Sequence, residues 1–359
     1  MLTNRLALKG LYFLAMGRAF RRYKDPRRKA SGRHQDAFYK KAWREAAESL
    51  GGECVLLGDR FSQITVDGVT TRVVENYSEI DDPVTLAVMH DKALTHQILN
   101  GVGLTTPRHA TFSLSRIGPA IEFLESSERH CVVKPAGGTG GGRGVTTGIR
   151  TRSHLARAAA AAACYADELL IEEQLEGDNY RLLYLDGELI DAFVRRPPGV
   201  VGDGRSSVAR LVRQANDDRL RNGSDLSQVL IAVDLDMKRT LARQNFTLAS
   251  VPPAGKHVIL KTVINENCGA DNSTATDVLC SSIVNDGKKA VKALRARFAG
   301  IDLITTDPTV PLAESGGAII EVNGTPNLYY HYHKKDSVFP VAIPLLRRIL
   351  IERQLAERE

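Results

Sequence analysis

The 359-residue sequence predicts an α+β protein that begins with a small α/β unit and continues into a larger body of helices and strands. Three observations support this class. Asp-Gly steps at 67–68 and 186–187 each stand between short apolar runs, which is the pattern of antiparallel hairpins. Stretches with the helical spacing of apolar residues alternate with such runs. A glycine-dense loop, residues 137–144, directly follows the apolar run 131–133 and Lys134.

Composition and charge narrow the class of protein. Hydrophobic residues make up 43% and charged residues 25% of the chain, which is typical of a globular protein with a real core. The net charge of +6 is mild and uneven, so we expect no nucleic-acid partner. Five cysteines without a C-x-x-C pair argue against a metal or disulfide framework. A reducing, cytoplasmic location is therefore expected.

Residues 1–36 form a basic N-terminal segment in which 6–16 are apolar around Lys9. The basic residues that follow are Arg18, Arg21, Arg22, Lys24, Arg27, Arg28, Lys29 and Arg33. A signal peptide carries its charge before the apolar run, and this run is too short for a transmembrane segment. We favour an amphipathic helix docked on the body over a membrane-surface anchor. Residues 25–35 are predicted to be a polar loop or linker.

The small α/β unit is expected over residues 37–90. Helical spacing over 36–50 ends at Gly51-Gly52, a typical helix C-terminus. A strand is predicted at 54–57, and two strands joined by Asp67-Gly68 at 61–74. Asp81-Asp82-Pro83 then predicts a turn that ends this unit before a helical region at 83–100.

The remaining chain, residues 91–359, is expected to form the main body. Strands are predicted at 111–113, 131–134, 168–175, 258–261, 301–304 and 318–323, with a hairpin over 181–194. Helices are predicted at 117–125, 153–167, 206–215, 277–298 and 337–353, with helical connections over 217–249.

The lysine before the glycine loop is typical of a phosphate clamp. Glycines let backbone N–H groups approach an anion closely, and Lys134 adds a point charge. The loop is not a P-loop, because its lysine precedes the glycines. No register fits the dinucleotide fingerprint, and a kinase lysine would follow its loop. A flexible surface loop is the alternative interpretation.

A second set of polar residues lies on the strand 318–323. Glu321 and Asn323 are two residues apart, so both point to one face. Carboxylate and amide oxygens suit Mg²⁺ or Mn²⁺, often shared with phosphates. Asp302, on the preceding strand, could supply another carboxylate. An edge strand with solvated polar residues is the alternative.

Four motifs come in a recognisable order: Lys92 in Asp-Lys, Lys134 before the glycine loop, an acidic strand running to Gly177, and Glu321-x-Asn323. In this order the motifs resemble those of ATP-grasp carboxylate–amine ligases, and the resemblance covers roughly residues 91–350. Further segments are similar to the ATP-grasp part of cyanophycin synthetases: 134–145, 177–181, 200–207, 251–256 and 323–328. The resemblance implies an ATP-grasp fold of two α+β lobes with the nucleotide between them, the lid lobe spanning about 108–170.

The resemblance also implies cofactors, ATP with Mg²⁺ or Mn²⁺, and four groups of site residues. The phosphate group is Lys92, Lys134 and the lid-loop residues Gly138, Gly140, Gly141, Gly142, Arg143 and Gly144. The adenine and ribose group is Glu172, Glu173, Leu175 and Asn179. The metal group is Asp302, Glu321 and Asn323. The catalytic group is Arg181, Arg195 and Asn265, which would line the transfer site, and Lys261, which would face the γ-phosphate.

At two single positions the sequence departs from the family pattern, and these departures restrict which properties of the family can be expected here. Lys261 stands where relatives have an arginine. A lysine cannot make the bidentate contact to phosphate that a guanidinium group makes. Asn327 stands where a glycine is usual. ATP chemistry is still expected, whereas the amino-acid substrates do not carry over from the resemblance.

The expected activity is an ATP-dependent ligase that joins a carboxylate, of an amino acid or peptide, to an amine through an acyl phosphate. Arg181, Arg195 and Arg196 indicate an anionic substrate, unless they are surface charges of a hairpin. The partners would be small molecules or peptides, with a homodimer left open. A kinase-like phosphotransferase on the same fold and a non-enzymatic nucleotide-binding protein remain as alternatives.

Overall fold

The structure, a computed structural model, describes residues 5–24, 27–138, 142–221, 230–264 and 271–356. Its helices are α1 (Arg5–Tyr23), α2 (Arg27–Ser49), α3 (Pro83–His90), α4 (Lys92–Gly101), α5 (Gly118–Ser126), α6 (Arg152–Ala162), α7 (Val208–Arg221), α8 (Leu235–Arg243), α9 (Ser281–Ala293), α10 (Leu312–Ser315), α11 (Tyr329–Tyr332) and α12 (Ala342–Ala356). Its strands are β1 (Glu53–Leu57), β2 (Phe61–Val66), β3 (Val69–Val73), β4 (His109–Ser113), β5 (Cys131–Pro135), β6 (Thr146–Ile149), β7 (Glu168–Glu173), β8 (Asp178–Leu185), β9 (Glu188–Arg195), β10 (Gly199–Val201), β11 (His257–Ile259), β12 (Ser273–Thr274), β13 (Phe298–Thr305) and β14 (Ala318–Asn323).

The N-terminal unit is an antiparallel sheet, β1-β2-β3, covered by α2. Asp67 and Gly68 both adopt positive φ, which confirms the predicted tight hairpin. Trp43 of α2 is buried in the same cluster as residues of α12 near the C-terminal end. The Tyr39 hydroxyl donates to Asn327 Oδ1 at 3.1 Å. The unit is therefore bonded directly to the segment that follows β14.

A four-stranded antiparallel sheet, in the order β4-β7-β5-β6, carries the lysine that precedes the glycine loop. Four alanines of α6 are buried in the cluster against it, because their small side chains let the helix approach closely: Ala156, Ala158, Ala159 and Ala162. Helix α1 joins this cluster through buried Leu8, with Leu11 packed beside it. The predicted docking of the N-terminal helix on the body is therefore confirmed.

A five-stranded antiparallel sheet, in the order β12-β9-β8-β13-β14, forms the centre of the body. The turn between β8 and β9 again has positive φ at Asp186 and Gly187, as the second Asp-Gly step predicted. Side chains such as Leu182 and Ile301 pack with α9 on one face of the sheet. The opposite face carries Leu183, Phe193 and other members of the α2–α12 cluster at one end, which leaves its other end for polar residues.

A smaller unit of α7, α8 and the pair β10-β11 packs around Met237. Its buried Asp236 accepts hydrogen bonds from Thr147 of β6 and from the backbone N–H groups of Thr262 and Val263. One carboxylate thus joins this unit to the four-stranded sheet.

Several element predictions were wrong in their bounds. The linker predicted at 25–35 is helical from Arg27 onward. It belongs to the single helix α2, which continues to Ser49 and crosses the predicted boundary between the N-terminal segment and the α/β unit at residue 36. The long helix predicted to Phe298 ends at Ala293, because Arg295 adopts a left-handed φ of 56° and the chain then enters β13. The helix predicted from 337 begins at Ala342, after Pro340.

Every helix among the described residues is too short or too polar to cross a lipid bilayer.

Candidate active site

The polar end of the five-stranded sheet gathers residues from four adjacent strands, β9, β8, β13 and β14. Strand alternation puts Arg181 and Asn179 on the face opposite Tyr180 and Leu182, which are in the apolar core. Asp302 lies directly across from Arg181 in β8 and from Glu321 in β14. The predicted metal group and two transfer-site arginines therefore share one surface. Asp302 lies inside the eight-residue strand β13, which extends beyond the predicted strand 301–304 at both ends.

Ion pairs connect this surface into a cluster. Arg181 holds Asp302 with two donors, Nη2 lying 2.9 Å from Oδ2, and Arg195 Nη1 is 3.2 Å from the same oxygen. Lys92 Nζ is 2.8 Å from Glu321 Oε1. The four-stranded sheet adds Lys134, whose Nζ is 2.8 Å from Glu172 Oε1.

The site cluster, as we call it, comprises Lys92, Lys134, Arg181, Arg195, Glu172, Asp302 and Glu321. Within this set of described residues, four cations face three carboxylates, so the seven side chains sum to one net positive charge in a largely buried position. A surplus of buried positive charge favours an anionic ligand, because charges in a low dielectric interact strongly and are costly to leave unbalanced.

The three arginines 181, 195 and 196 differ in burial, which the sequence did not reveal. Arg181 and Arg195 are buried, so their interpretation as surface charges of a hairpin is wrong. Arg196 is about half exposed and pairs with Asp178 at 2.7 Å. Strand alternation separates Arg196 from its neighbour and leaves it outside the site cluster.

The charge state of Glu321 follows from its partners. Burial by itself would raise the pKa of this carboxyl, but the adjacent Lys92 ammonium and more distant Lys134 and Arg181 hold the pKa at about 2. Burial would likewise lower the pKa of Lys92, and the Glu321 charge raises it instead. Both groups are therefore ionised at neutral pH.

Two buried acceptors in this region lack a hydrogen-bond partner within the described part of the chain: Glu172 Oε2 and Asn179 Oδ1. Buried polar atoms are normally satisfied, so each such atom requires an explanation. Both belong to the group predicted beside adenine and ribose. Of the other members, Glu173 and Leu175 line a cavity of about 560 Å³ together with Thr105, Pro107 and Ala313.

The described part of the glycine loop is tied to the start of α4. The Lys92 N–H donates to the Ala136 carbonyl at 3.0 Å, and a Cβ at Gly137 would lie 3.1 Å from the His90 carbonyl. Gly138, Gly142 and Gly144 have positive φ, which explains why glycine occupies these positions. Arg143 is exposed. Gly140, Gly141 and the transfer-site residue Asn265 lie outside the described residues.

The predicted metal ligands come together only in part. Asp302 and Glu321 are cross-strand neighbours, and the Asn323 amide donates to the Gly300 carbonyl at 3.4 Å. Arginine and lysine side chains hold the two carboxylates. In the ranges that the structure describes, no three His, Cys, Asp or Glu side chains converge as a metal centre. A metal would therefore need Asn323 or ligand oxygens to complete its coordination.

Lys261 is almost fully buried just beyond β11, and its Nζ is 2.6 Å from Asp234 at the N-terminus of α8. It therefore belongs to the smaller helical unit that is bonded to β6. Its predicted contact with the γ-phosphate stays a prediction.

A second buried group that the sequence did not predict lies beside the arginines. Asp191 of β9 contacts His331 Nδ1 at 2.6 Å and Lys334 Nζ at 2.6 Å. Burial lowers the pKa of His331, and the more distant Arg181 and Lys334 charges add to this decrease, while the Asp191 carboxylate opposes it. The Nε2 atom of His331 has no hydrogen-bond partner in the described ranges. The only signal was the three-residue spacing between His331 of α11 and Lys334, which lies just beyond the end of that helix, and such spacing is too common to be informative.

His96 links the stability of the site to pH. It is fully buried on α4, and its Nε2 lies 3.2 Å from the Ile320 carbonyl. Burial, and secondly the Lys134 ammonium, lower its pKa to about 3. Between that value and the unfolded pKa of about 6.5, the unfolded state binds the extra proton. The stabilisation is thus complete above about pH 6.5 and decreases as the pH falls towards 3.

We expect His96→Gln to reduce this pH dependence. The amide can still donate to the Ile320 carbonyl but cannot take up a proton. Between pH 7 and pH 5 the wild-type protein should lose about 2 kcal/mol more stability than the variant. Urea unfolding at both pH values measures this, with exposed His130→Gln as control. Equal losses in wild type and His96→Gln would contradict the assignment.

Known proteins provide the comparison. No protein-family model matches the chain. It is 34% identical over 244 residues to a cyanophycin synthetase of Nostoc sp., a match covering 67% of this chain and 27% of that protein. It is 30% identical over 297 residues to the bifunctional glutathione biosynthesis protein GshAB of Pasteurella multocida, covering 80% and 37%.

The crystal structure of a bifunctional glutathione synthetase from Pasteurella multocida superposes with a TM-score of 0.53 at 25% identity, covering 85% of this chain and 43% of that one. The chain thus spans well under half the length of these relatives. Sequence and fold together show that it belongs to the ATP-grasp family. Within that family it is similar to cyanophycin synthetases and GshAB proteins, which confirms the resemblance and the α+β fold predicted from the sequence.

Proposed function

We propose that this protein is an ATP-dependent carboxylate–amine ligase. The observation that carries the proposal is the site cluster, with two lysines and two arginines that exceed their three carboxylate partners at the junction of two sheets. ATP brings a compact polyanion, and a carboxylate substrate brings a further negative charge. The names of the synthetase relatives support the same reaction class.

Lys92 and Lys134 are the residues that we assign to the phosphates of ATP. Both ammonium groups lie beside the start of the glycine loop, where Lys92 also bonds the Ala136 carbonyl through its backbone. On binding, phosphate oxygens would compete with Glu321 and Glu172 for these ammonium groups. The partnerless Glu172 Oε2 and Asn179 Oδ1 suit the N–H and O–H donors of a nucleoside.

Asp302, Glu321 and Asn323 supply the oxygen donors that Mg²⁺ prefers, and the depressed pKa of Glu321 keeps that carboxylate ionised. When bound, Mg²⁺ would neutralise charge on the transferred phosphoryl group. The chain's own contribution is to hold these oxygens rigidly, because Asp302 is fixed by two arginines on neighbouring strands.

The reaction joins two substrates in balanced steps. A carboxylate oxygen of the acid attacks the γ-phosphorus of ATP, which forms an acyl phosphate and releases ADP. The amine then attacks the acyl carbon, the C–O bond to phosphate breaks, and an amide, phosphate and a proton are released. A free carboxylate is a poor electrophile at neutral pH, so activation is required. Arg181 and Arg195 are suited to orient the anionic acid.

Trapping of the activated acid with hydroxylamine tests this proposal. Amino acids, N-blocked amino acids and short peptides are incubated with ATP, Mg²⁺ and hydroxylamine, beginning with aspartate, glutamate and peptide C-termini. We expect one hydroxamate per ADP with the correct acid, and no product from the Lys134→Met variant. A stable phosphorylated product formed without amine dependence would instead establish a phosphotransferase. ATP binding without turnover of any acid would favour a non-enzymatic role.

A further inference from the structure

Helix α1 has apolar residues on two opposite sides. One side packs on the body: Leu8 is buried, and Leu11, Tyr12, Ala15 and Ala19 are partly covered at helical spacing. The other side faces outward with Phe13 69%, Leu14 62%, Met16 40% and Phe20 57% exposed. A helix that only docks on a protein core would carry polar residues there.

The exposed residues form one continuous strip. Phe13 and Phe20 are seven residues apart, so they lie on the same line of the helix. Gly10 and Gly17 stand on the same side, and a Cβ added to either would meet no atom within 4 Å. With no side chains at these two positions, the strip is open between the rings. The Phe13 ring meets Tyr12 edge-on at 5.9 Å, and Lys24 Nζ lies 4.6 Å from the centre of the Phe20 ring. Lys9 and Arg18 are exposed at the two edges of the strip.

The positive charge of the N-terminal segment, residues 1–35, matches an anionic partner. The first 35 residues contain ten lysines and arginines and a single acidic residue, Asp25. Each basic residue near an anionic membrane surface contributes about 1 kcal/mol of attraction. A second copy of the helix, by contrast, would bring two such basic segments together. An anionic bilayer surface satisfies both the apolar strip and the charge.

We propose that α1 docks on the surface of a bilayer that contains anionic lipids. The strip of Phe13, Leu14, Met16 and Phe20 enters the interfacial layer, and the flanking basic side chains contact the headgroups. Leu8 stays packed on the body, so docking holds the four-stranded sheet close to the membrane. This inference is independent of the proposed enzymatic function.

Vesicle co-sedimentation of the full chain tests the proposal. We expect binding to phosphatidylcholine vesicles that contain phosphatidylserine, and much weaker binding to phosphatidylcholine alone. The double variant Phe13→Ser/Leu14→Ser should lower the partition coefficient by on the order of a hundredfold. The control Val338→Ser/Leu355→Ser removes apolar side chains that are 68% and 57% exposed elsewhere and should leave partitioning unchanged.

Charge reversal on α1 separates the electrostatic contribution to vesicle binding from the apolar contribution. Lys9→Glu/Arg18→Glu should weaken binding to anionic vesicles about tenfold or more and leave the fold intact, since both side chains are exposed. Raising the salt from about 0.1 M to about 1 M, which shortens the screening length from about 10 Å to about 3 Å, should weaken binding similarly. Absence of sedimentation with anionic vesicles would overturn the proposal. So would a dimer in light scattering that is lost in Phe13→Ser/Leu14→Ser while vesicle binding stays unchanged.

Discussion

Replacing Lys134 with methionine should weaken ATP binding on the order of a hundredfold, because a charge-assisted contact to phosphate contributes about 1.5–3 kcal/mol. Lys134 is buried at the end of β5, immediately before the glycine loop. Methionine keeps the length of the side chain and removes only the charge and donors. Titration calorimetry with a non-hydrolysable ATP analogue measures the change in affinity.

Two further variants make this measurement specific. Lys40→Met removes a lysine that pairs with Asp36 at 2.7 Å on α2, far from the site cluster in sequence, and should not affect nucleotide affinity. Glu172→Gln removes the negative charge that pairs with Lys134 but keeps the ammonium and one side-chain oxygen that can accept from the nucleoside, so binding should persist. If Lys134→Met binds nucleotide as the wild-type protein does, the phosphate-clamp assignment is wrong.

Asp302→Asn should abolish detectable ligation and destabilise the fold by about 3–5 kcal/mol, the usual result of removing one partner from a buried ion pair. The amide cannot balance the two guanidinium groups of Arg181 and Arg195, which together make three hydrogen bonds to this carboxylate. It is also a weaker ligand for a hard cation. Urea unfolding and hydroxamate formation measure the two effects separately.

Asp178→Asn is the matched control on the same sheet. Its carboxylate pairs with Arg196, and both side chains are about half exposed. Exposed ion pairs contribute about 0–1 kcal/mol, so stability and turnover should stay near the wild-type values. Equal destabilisation by the two substitutions would mean that Asp302 does not form the buried centre of the site cluster. Normal turnover in Asp302→Asn would exclude it from catalysis.

Much of the local structure was predictable because it depends on short-range preferences. Asp67-Gly68 and Asp186-Gly187 adopt the positive φ values that tight hairpins need, and these are accessible to glycine and tolerable for aspartate. The i, i+2 spacing of Glu321 and Asn323 determines that they share a face of β14. Wrong predictions occurred at the termini of helices, where Arg295 ends α9 by a backbone conformation that its side chain does not indicate.

The sequence by itself determined the family, the order of strands and helices, and the residue types suited to phosphate and metal chemistry. Tertiary structure decided which of those residues meet. Arg195 and Arg196 are identical in type and adjacent in sequence, yet strand alternation buries one against Asp302 and exposes the other. Asp191 and His331, 140 positions apart, form a buried pair that local spacing could not indicate. Contacts of this kind depend on sheet register and on packing between distant segments, and neither is encoded in any one stretch of the chain.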